Sequence, residues 1–173
     1  MERNLSIIIV ITIIGVALLC GFGFLRGVPI ENVMSAINPE KIANTNSFYG
    51  LANVTVNGFH LLVDVPSTDD QFQKGLGIKD QLKENQGMLF IFTQPAKYAF
   101  WMHGMKFPID IIWIDSKNSV VHVEHNLPPC TIDLVCPTYS PDRDSLYVLE
   151  TTANFSERHN VTVGTHVNYH IIR

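Results

Sequence analysis

Residues 100–115 read FWMHGMKFPIDIIWID. This stretch decides the fold, and the rest of the sequence is predicted to pack around it. Two apolar runs meet there at a bend that contains His103 and Gly104. The second run, residues 109–115, is apolar on both faces apart from Asp110, which is typical of a strand inside a sheet. An ionised carboxylate in such a strand is costly unless it is hydrogen-bonded or paired, so Asp110 needs partners.

The segments around this stretch predict short strands and little helix. Asn57-Gly58 joins residues 52–56 to residues 59–65 and favours a hairpin, because both turn positions need positive φ. The other predicted strands are residues 88–92, 97–102, 120–125, 145–150 and 166–172, with a turn at Gln94-Pro95. Parallel sheets need helical crossovers, and this sequence has too few of them. We therefore predict a mainly β fold, a compact and mostly antiparallel barrel or sandwich with two short helices.

The two helices are predicted from capping patterns. Ser67 followed by Asp70 resembles a capping arrangement, and it predicts a helix over residues 68–76 that ends near two glycines. Thr151 or Thr152 is the predicted cap of the second helix, over residues 151–159.

The N-terminal residues predict a membrane anchor. Residues 5–25 contain no charged residue and reach the length of about 20 apolar residues that a transmembrane helix needs. The apolar core of a signal peptide is shorter, about 7–15 residues, and the only acceptable cleavage site lies too far downstream. We expect an uncleaved transmembrane helix in residues 1–26, a stalk in residues 27–47 and a β domain in residues 48–173.

The cysteines bear on the location of the domain. Cys130 and Cys136 lie close together, and such a pair in an extracytoplasmic domain is best interpreted as a disulfide. Half of a metal site, or two free thiols in a cytosolic domain, are the alternatives. Three sequons give further support, at Asn53, Asn154 and Asn160. With one arginine on each side of the span, flanking charge does not fix its orientation. We expect a single-pass protein of the cell membrane whose C-terminal domain lies outside the cytoplasm.

Composition and motifs argue against several kinds of partner. The net charge is −4 and no Lys/Arg cluster is present, which argues against nucleic acid. His103, His122, His125 and Glu124 form the only cluster that suggests a metal, but their spacing matches no zinc motif. Scattered surface histidines are the preferred interpretation. No nucleophile elbow or phosphate-binding loop is present, and we expect no metal and no cofactor.

Two residue types near the bend could form a binding site. Trp101 lies beside the bend and is the better candidate for a stacking platform, whereas the alternation around Trp113 favours a core position. Asp110 has two interpretations, a ligand-orienting or catalytic acid at a pocket floor, or an acceptor for backbone N–H groups of residues 104–107. The second interpretation is slightly favoured.

With these residues in place, the sequence from about Phe59 to Ile172 resembles the domain of unknown function 192 family of bacteria and archaea. The segments that carry the resemblance are residues 73–76 (QKGL), 87–90 (GMLF), 100–102 (FWM), 108–112 (PIDII) with 114–115 (ID), and 147–150 (YVLE). The resemblance implies a small β-rich, barrel-like fold behind a signal peptide or anchor, and no established activity. The sequence departs from the family at His103-Gly104-Met105, where Lys-Asn-Thr is common.

These observations predict non-catalytic binding of a small polar or glycan ligand in a pocket near the bend. The expected ligand-binding residues are Trp101, Met102, His103, Asp110 and Glu150, with the loop of residues 126–143 as a lid. The alternative is a hydrolase of envelope polymers in which Asp110, paired with Glu150 or Asp64, is the acid/base. A further alternative is a module that docks membrane partners through an apolar patch.

Overall fold

The structure is a computed structural model, and it describes residues 49–130 and 135–172. The predicted anchor and stalk lie outside the described residues. In the part that is described, no helix is both long enough and apolar enough to cross a membrane. The strands are β1 (Gly50–Val56), β2 (Phe59–Val65), β3 (Gln86–Ala96), β4 (Phe100–Trp101), β5 (Ile109–Ile114), β6 (Val120–Leu127), β7 (Thr138–Tyr139), β8 (Ser145–Thr152) and β9 (Val167–Ile171). The helices are α1 (Asp69–Lys74), which runs into a 3-10 helix (Gly75–Ile78), and α2 (Phe155–Arg158).

Seven strands form one sheet in the order β6-β5-β8-β3-β2-β1-β9, and β4 pairs with β7 in a second, small sheet. Every pair in the large sheet is antiparallel except β2 with β3. The connection between those two parallel strands carries α1 and the 3-10 helix, as a crossover requires. The mainly β, mostly antiparallel prediction is confirmed, but the sheet is not closed into a barrel.

Apolar side chains cover both faces of the large sheet. In β5, Ile109, Ile111 and Trp113 pack into one cluster, whereas Ile112 and Ile114 pack into the other. Successive residues of a strand point to opposite faces, so each cluster takes every second residue. β5 lies between β6 and β8, which agrees with its prediction as an interior strand. The sheet therefore has two cores, one of which lies under the bend.

Local signals explain the first elements. Asn57 and Gly58 both have positive φ, 47° and 80°, as the hairpin prediction required. The cap of α1 is Thr68, whose hydroxyl accepts from the backbone N–H of Gln71. The Gln71 side chain in turn accepts from the N–H of Ser67 at 2.8 Å. The prediction of Ser67 as the capping residue was therefore wrong by one position.

Two other boundaries differ from the prediction because of pairing across the sheet. β3 continues through Pro95 to Ala96, where Ala96 pairs with Ser145 after a register shift, so residues 94–95 do not form a turn. β8 extends to Thr152, which pairs with Ile109. Helix α2 consequently begins only at Phe155, with Asn154 as its left-handed cap, and the predicted caps Thr151 and Thr152 belong to a strand.

Candidate functional site

A small cavity lies between the bend, α1 and the large sheet. Its volume is about 110 Å³. Seven of its twelve lining residues among those described are apolar, and one carboxyl group among them, that of Glu150, contributes to it. Its lining residues are Phe72, Gln73, Lys74, Gly75, Leu76, Phe90, Ala99, Phe100, Trp101, His103, Met105 and Glu150. We call this cavity the inner pocket.

A wider groove lies beside the inner pocket. It has a volume of about 550 Å³ and shares Gln73, Lys74, Trp101 and His103 with the inner pocket. We call it the outer groove. Trp101 is 49% exposed, and its ring centroid lies 5.0 Å from that of His103. A ligand with an apolar face would find a stacking surface there, next to the entrance of the inner pocket.

Glu150 is the acidic group of the inner pocket. The residue is 4% exposed and lies in β8, opposite Ile111 of β5 and Met88 of β3, both of them apolar. Burial raises the pKa of the Glu150 carboxyl to about 8, although a hydrogen bond from the backbone N–H of Leu76 acts in the opposite direction. Its Oε2 atom has no hydrogen-bond partner within the described residues. Near neutral pH, Glu150 is therefore mostly a neutral carboxylic acid with an unused polar atom.

Two glycines lie close to Glu150, one beside its carboxyl group and one beside its backbone carbonyl. Gly75 has φ of 48°, and a Cβ atom built there would lie 3.6 Å from Glu150 Oε2. That distance is an ordinary van der Waals contact, so Gly75 lies directly beside the carboxyl group. At Gly87, a Cβ atom would lie 2.5 Å from the Glu150 carbonyl oxygen, so only glycine allows β3 to approach β8 this closely.

The bend itself is held by the loop that follows β6. The Met102 carbonyl accepts from the N–H of Met105 at 3.3 Å and from the N–H of Cys130 at 3.1 Å. Cys130 is joined to Cys136 by a disulfide, as the sequence predicted. The side chain of Met102 is buried in the apolar cluster under the bend, so its backbone supports the site. Residues 131–134 of this predicted lid lie outside the described residues.

Asp110 lies away from the inner pocket. It is fully buried, and its carboxylate accepts three backbone N–H bonds of 2.8 Å, from Asn126, Asn154 and Ser156. The Nδ1 atom of His125 lies 3.9 Å from its Oδ2. The preferred interpretation of Asp110 as a backbone acceptor agrees with this geometry, but the expected donors at residues 104–107 were wrong. The donors come instead from the end of β6 and the start of α2.

The structure does not bring the proposed carboxylate pairs together. Asp110 pairs across the sheet with Thr151, and Glu150 pairs with Ile111. Since neighbouring residues on a strand point to opposite faces, Asp110 and Glu150 lie on opposite faces of the sheet. Asp64 forms an ion pair of 2.7 Å with Lys79. A two-carboxylate hydrolase site built from Asp110 and Glu150 does not fit this arrangement.

The predicted histidine cluster does not form one site: His122 and His125 line one cavity, and His103 lines another. Across the described ranges 49–130 and 135–172, no group of three or more His, Cys, Asp or Glu side chains could hold a metal ion. His122 Nε2 lies 3.1 Å from Glu124 Oε1, and the His122 ring packs against Trp113. His103 lines the inner pocket, at a different place in the fold.

Of the five predicted ligand-binding residues, three line the inner pocket: Trp101, His103 and Glu150. Sequence reasoning missed the wall that α1 and the 3-10 helix supply, residues 72–76. The sequence signal for this wall is the segment QKGL, residues 73–76, which also carries part of the family resemblance.

The fold and the pocket define a small, mainly β domain in which the buried Glu150 carboxyl group lines a pocket with several aromatic side chains. The chain belongs to the domain of unknown function 192 family (DUF192, Uncharacterized ACR), whose model matches residues 52–169. This confirms the resemblance seen in the sequence.

Two solved structures have a similar fold. One is a candidate transcription regulator from Sinorhizobium meliloti 1021, with 22% identity, a TM-score of 0.62, and coverage of 70% of this chain and 95% of that chain. The other is a protein of unknown function from Novosphingobium aromaticivorans DSM 12444, with 21% identity, a TM-score of 0.61, and coverage of 86% and 99%. No curated protein matches the sequence. At these identities the similarity establishes the fold alone.

Proposed function

We propose that the domain binds a small polar or glycan ligand, without catalysis, in the inner pocket and outer groove. The observation that carries this proposal is Glu150, a buried carboxyl group whose Oε2 has no partner among the described residues. Buried polar atoms are nearly always hydrogen-bonded, so an orphan atom in a pocket wall suggests a missing ligand group. Trp101 supplies the apolar surface beside it.

The geometry favours binding over hydrolysis. Asp110, the acid on which the hydrolase alternative rests, is fully buried and engaged by three backbone donors. A general acid must reach the substrate within hydrogen-bond distance, directly or through one water. Glu150 faces the pocket without Asp110 beside it, so these two acids do not form a carboxylate pair there.

We further propose that residues 5–25 anchor the protein in the cell membrane, with the β domain outside the cytoplasm. The uncharged apolar run and the disulfide between Cys130 and Cys136 support this placement, because disulfides persist in oxidising compartments. A ligand of the domain would then be a solute or glycan of the cell exterior.

A binding experiment on the full-length chain, purified in mild detergent, tests the binding proposal. The probes are glucose, N-acetylglucosamine, glucosamine, n-propanol and n-propylammonium. The readouts are the unfolding midpoint and the intrinsic tryptophan fluorescence. At about ten times the dissociation constant, a ligand that binds only the native state stabilises it by about 1.4 kcal/mol. Trp113 is fully buried and donates to the Tyr98 carbonyl, so a ligand-induced change in fluorescence is assigned to Trp101.

The variant Trp101→Ala gives the decisive comparison. We expect it to weaken binding of the active probe at least tenfold, since it removes the stacking surface. Leu62→Ala is the matched control, because Leu62 is an apolar side chain of similar exposure, 45%, that lines neither cavity. Equal affinity in Trp101→Ala and the native protein, or no binding of any probe, would overturn the proposal.

A further inference from the structure

The described part of the chain contains two buried carboxyl groups with very different surroundings. Asp110 accepts three backbone N–H bonds of 2.8 Å and has His125 nearby. Glu150 has the N–H of Leu76 and, within the described residues, nothing on Oε2. A buried carboxylate is stable when several donors or a positive charge compensate it. The fold supplies that compensation at Asp110 and leaves it incomplete at Glu150.

Among the described residues, the charged groups around the inner pocket do not complete this compensation at Glu150. Helix α1 contributes Lys74, whose Nζ is engaged by Asp70 Oδ2 at 2.8 Å on the exposed side of the helix. The bend contributes His103, and β3 and β5 contribute Met88 and Ile111 opposite Glu150. Four aromatic side chains also line the pocket, Phe72, Phe90, Phe100 and Trp101.

We infer that the inner pocket takes a primary ammonium group of the ligand, with the Glu150 carboxylate as its counter-ion. This inference rests on the proposed binding function and names the chemistry of that site. An ammonium group brings a positive charge and three N–H donors. Asp110 has three backbone N–H donors, whereas Glu150 has only that of Leu76 within the described residues. Aromatic walls suit the apolar stem next to the ammonium and attract the cation.

The size of the two spaces fits such a ligand. About 110 Å³ accommodates an ammonium group with a short stem, and the 550 Å³ outer groove accommodates the rest of the molecule against Trp101. The ammonium could belong to an alkylamine or to an amino sugar, and the same chemistry serves both. Binding is a simple ion pairing: Glu150 releases its proton to solvent and the ligand keeps its charge.

Matched pairs of probes test the inference. n-Propylammonium and n-propanol differ in charge at almost constant shape, and glucosamine differs from N-acetylglucosamine by the free ammonium. Titrations on the full-length chain in detergent should give at least tenfold tighter binding for the charged member of a pair. If only the propyl pair shows this difference, the source is an alkylamine, and if only the sugar pair shows it, the source is an amino sugar.

Proton linkage gives a second readout that a general effect of charge would not produce. Since the pKa of Glu150 is raised to about 8, propylammonium affinity should rise close to tenfold per pH unit from about pH 6 to pH 8 and then level off. Binding near pH 7 should release close to one proton, measured as a dependence of the calorimetric enthalpy on the buffer. Glu150→Gln should abolish the pH dependence of propylammonium affinity and weaken that affinity at least tenfold. Glu157→Gln on α2 should keep the native affinity and its pH dependence.

The two proposals fail in different ways. If the neutral members bind as tightly as the charged ones and Trp101→Ala still weakens them, the ammonium inference is overturned and the binding function stands. If the charged members bind with the same slope in Glu150→Gln, the inference is also overturned. If no probe binds, or if Trp101→Ala leaves every affinity unchanged, both proposals are overturned.

Discussion

The burial of Glu150 makes the stability of the domain depend on pH in an unusual direction. Most carboxyl groups have a lower pKa in the folded protein and add stability as the pH rises. Burial raises the pKa of Glu150 from 4.5 to about 8, so the unfolded chain loses this proton first. The contribution of Glu150 to stability is therefore complete below about pH 4.5 and falls until about pH 8, above which it is constant.

The size of the effect follows from the same shift. One pKa unit corresponds to about 1.4 kcal/mol, and between about pH 5 and pH 9 the ionisation of Glu150 should cost about 4 kcal/mol of unfolding free energy. Glu150→Gln removes the titration and keeps the shape. We expect the variant to be close to the native protein in stability at pH 5 and about 4 kcal/mol more stable than it at pH 9.

Urea unfolding of the full-length chain at pH 5, 7 and 9 measures this difference. Other titrating groups change the stability of both proteins alike, so they cancel when the variant is compared with the native protein at each pH. Glu157→Gln, in which an exposed carboxyl group is replaced in the same way, is the matched control. If the advantage of Glu150→Gln does not grow between pH 5 and pH 9, the argument from burial is wrong.

Two further substitutions test the structural roles assigned above. Asp110→Asn exchanges one acceptor oxygen for an N–H₂ group that faces backbone donors, so it should lower the unfolding free energy by about 3 kcal/mol in urea titrations. If the variant has native stability, Asp110 does not have the structural role described above, and a functional role becomes the better interpretation. Gly87→Ala places a methyl group 2.5 Å from the Glu150 carbonyl oxygen and should cost about 3 kcal/mol by the same measurement. A loss of about 0.5 kcal/mol or less, the size of an ordinary surface effect, would show that β3 and β8 separate easily.

Local signals predicted the elements whose geometry depends on neighbouring residues. Asn57-Gly58 forms its hairpin because two residues with positive φ suffice to turn the chain. Residues 109–114 form an interior strand because, apart from Asp110, their side chains are apolar on both faces of the strand, and both faces must be buried. The parallel pairing of β2 with β3 was not predicted, because it depends on a crossover of one short helix whose path the pattern does not specify.

The site was predicted in part for the same reason. The sequence pointed to Trp101, His103 and Glu150, which line one pocket. It also grouped Asp110 with them, because closeness in sequence to the bend was taken for closeness in space. Asp110 instead faces the opposite side of the sheet, a consequence of strand pairing that only the register of β5 and β8 settles.

The partners of Asp110 also bear on the order in which the domain folds. Its three donors lie 16, 44 and 46 residues further along the chain, in Asn126, Asn154 and Ser156. Their N–H groups can converge on one carboxylate only after β6, β8 and α2 have come together. Contacts between such distant segments carry a high cost of loop closure and tend to form late. The Asp110 hydrogen bonds therefore stabilise the domain after its segments have assembled. Their loss should mainly raise the unfolding rate and leave the folding rate almost unchanged.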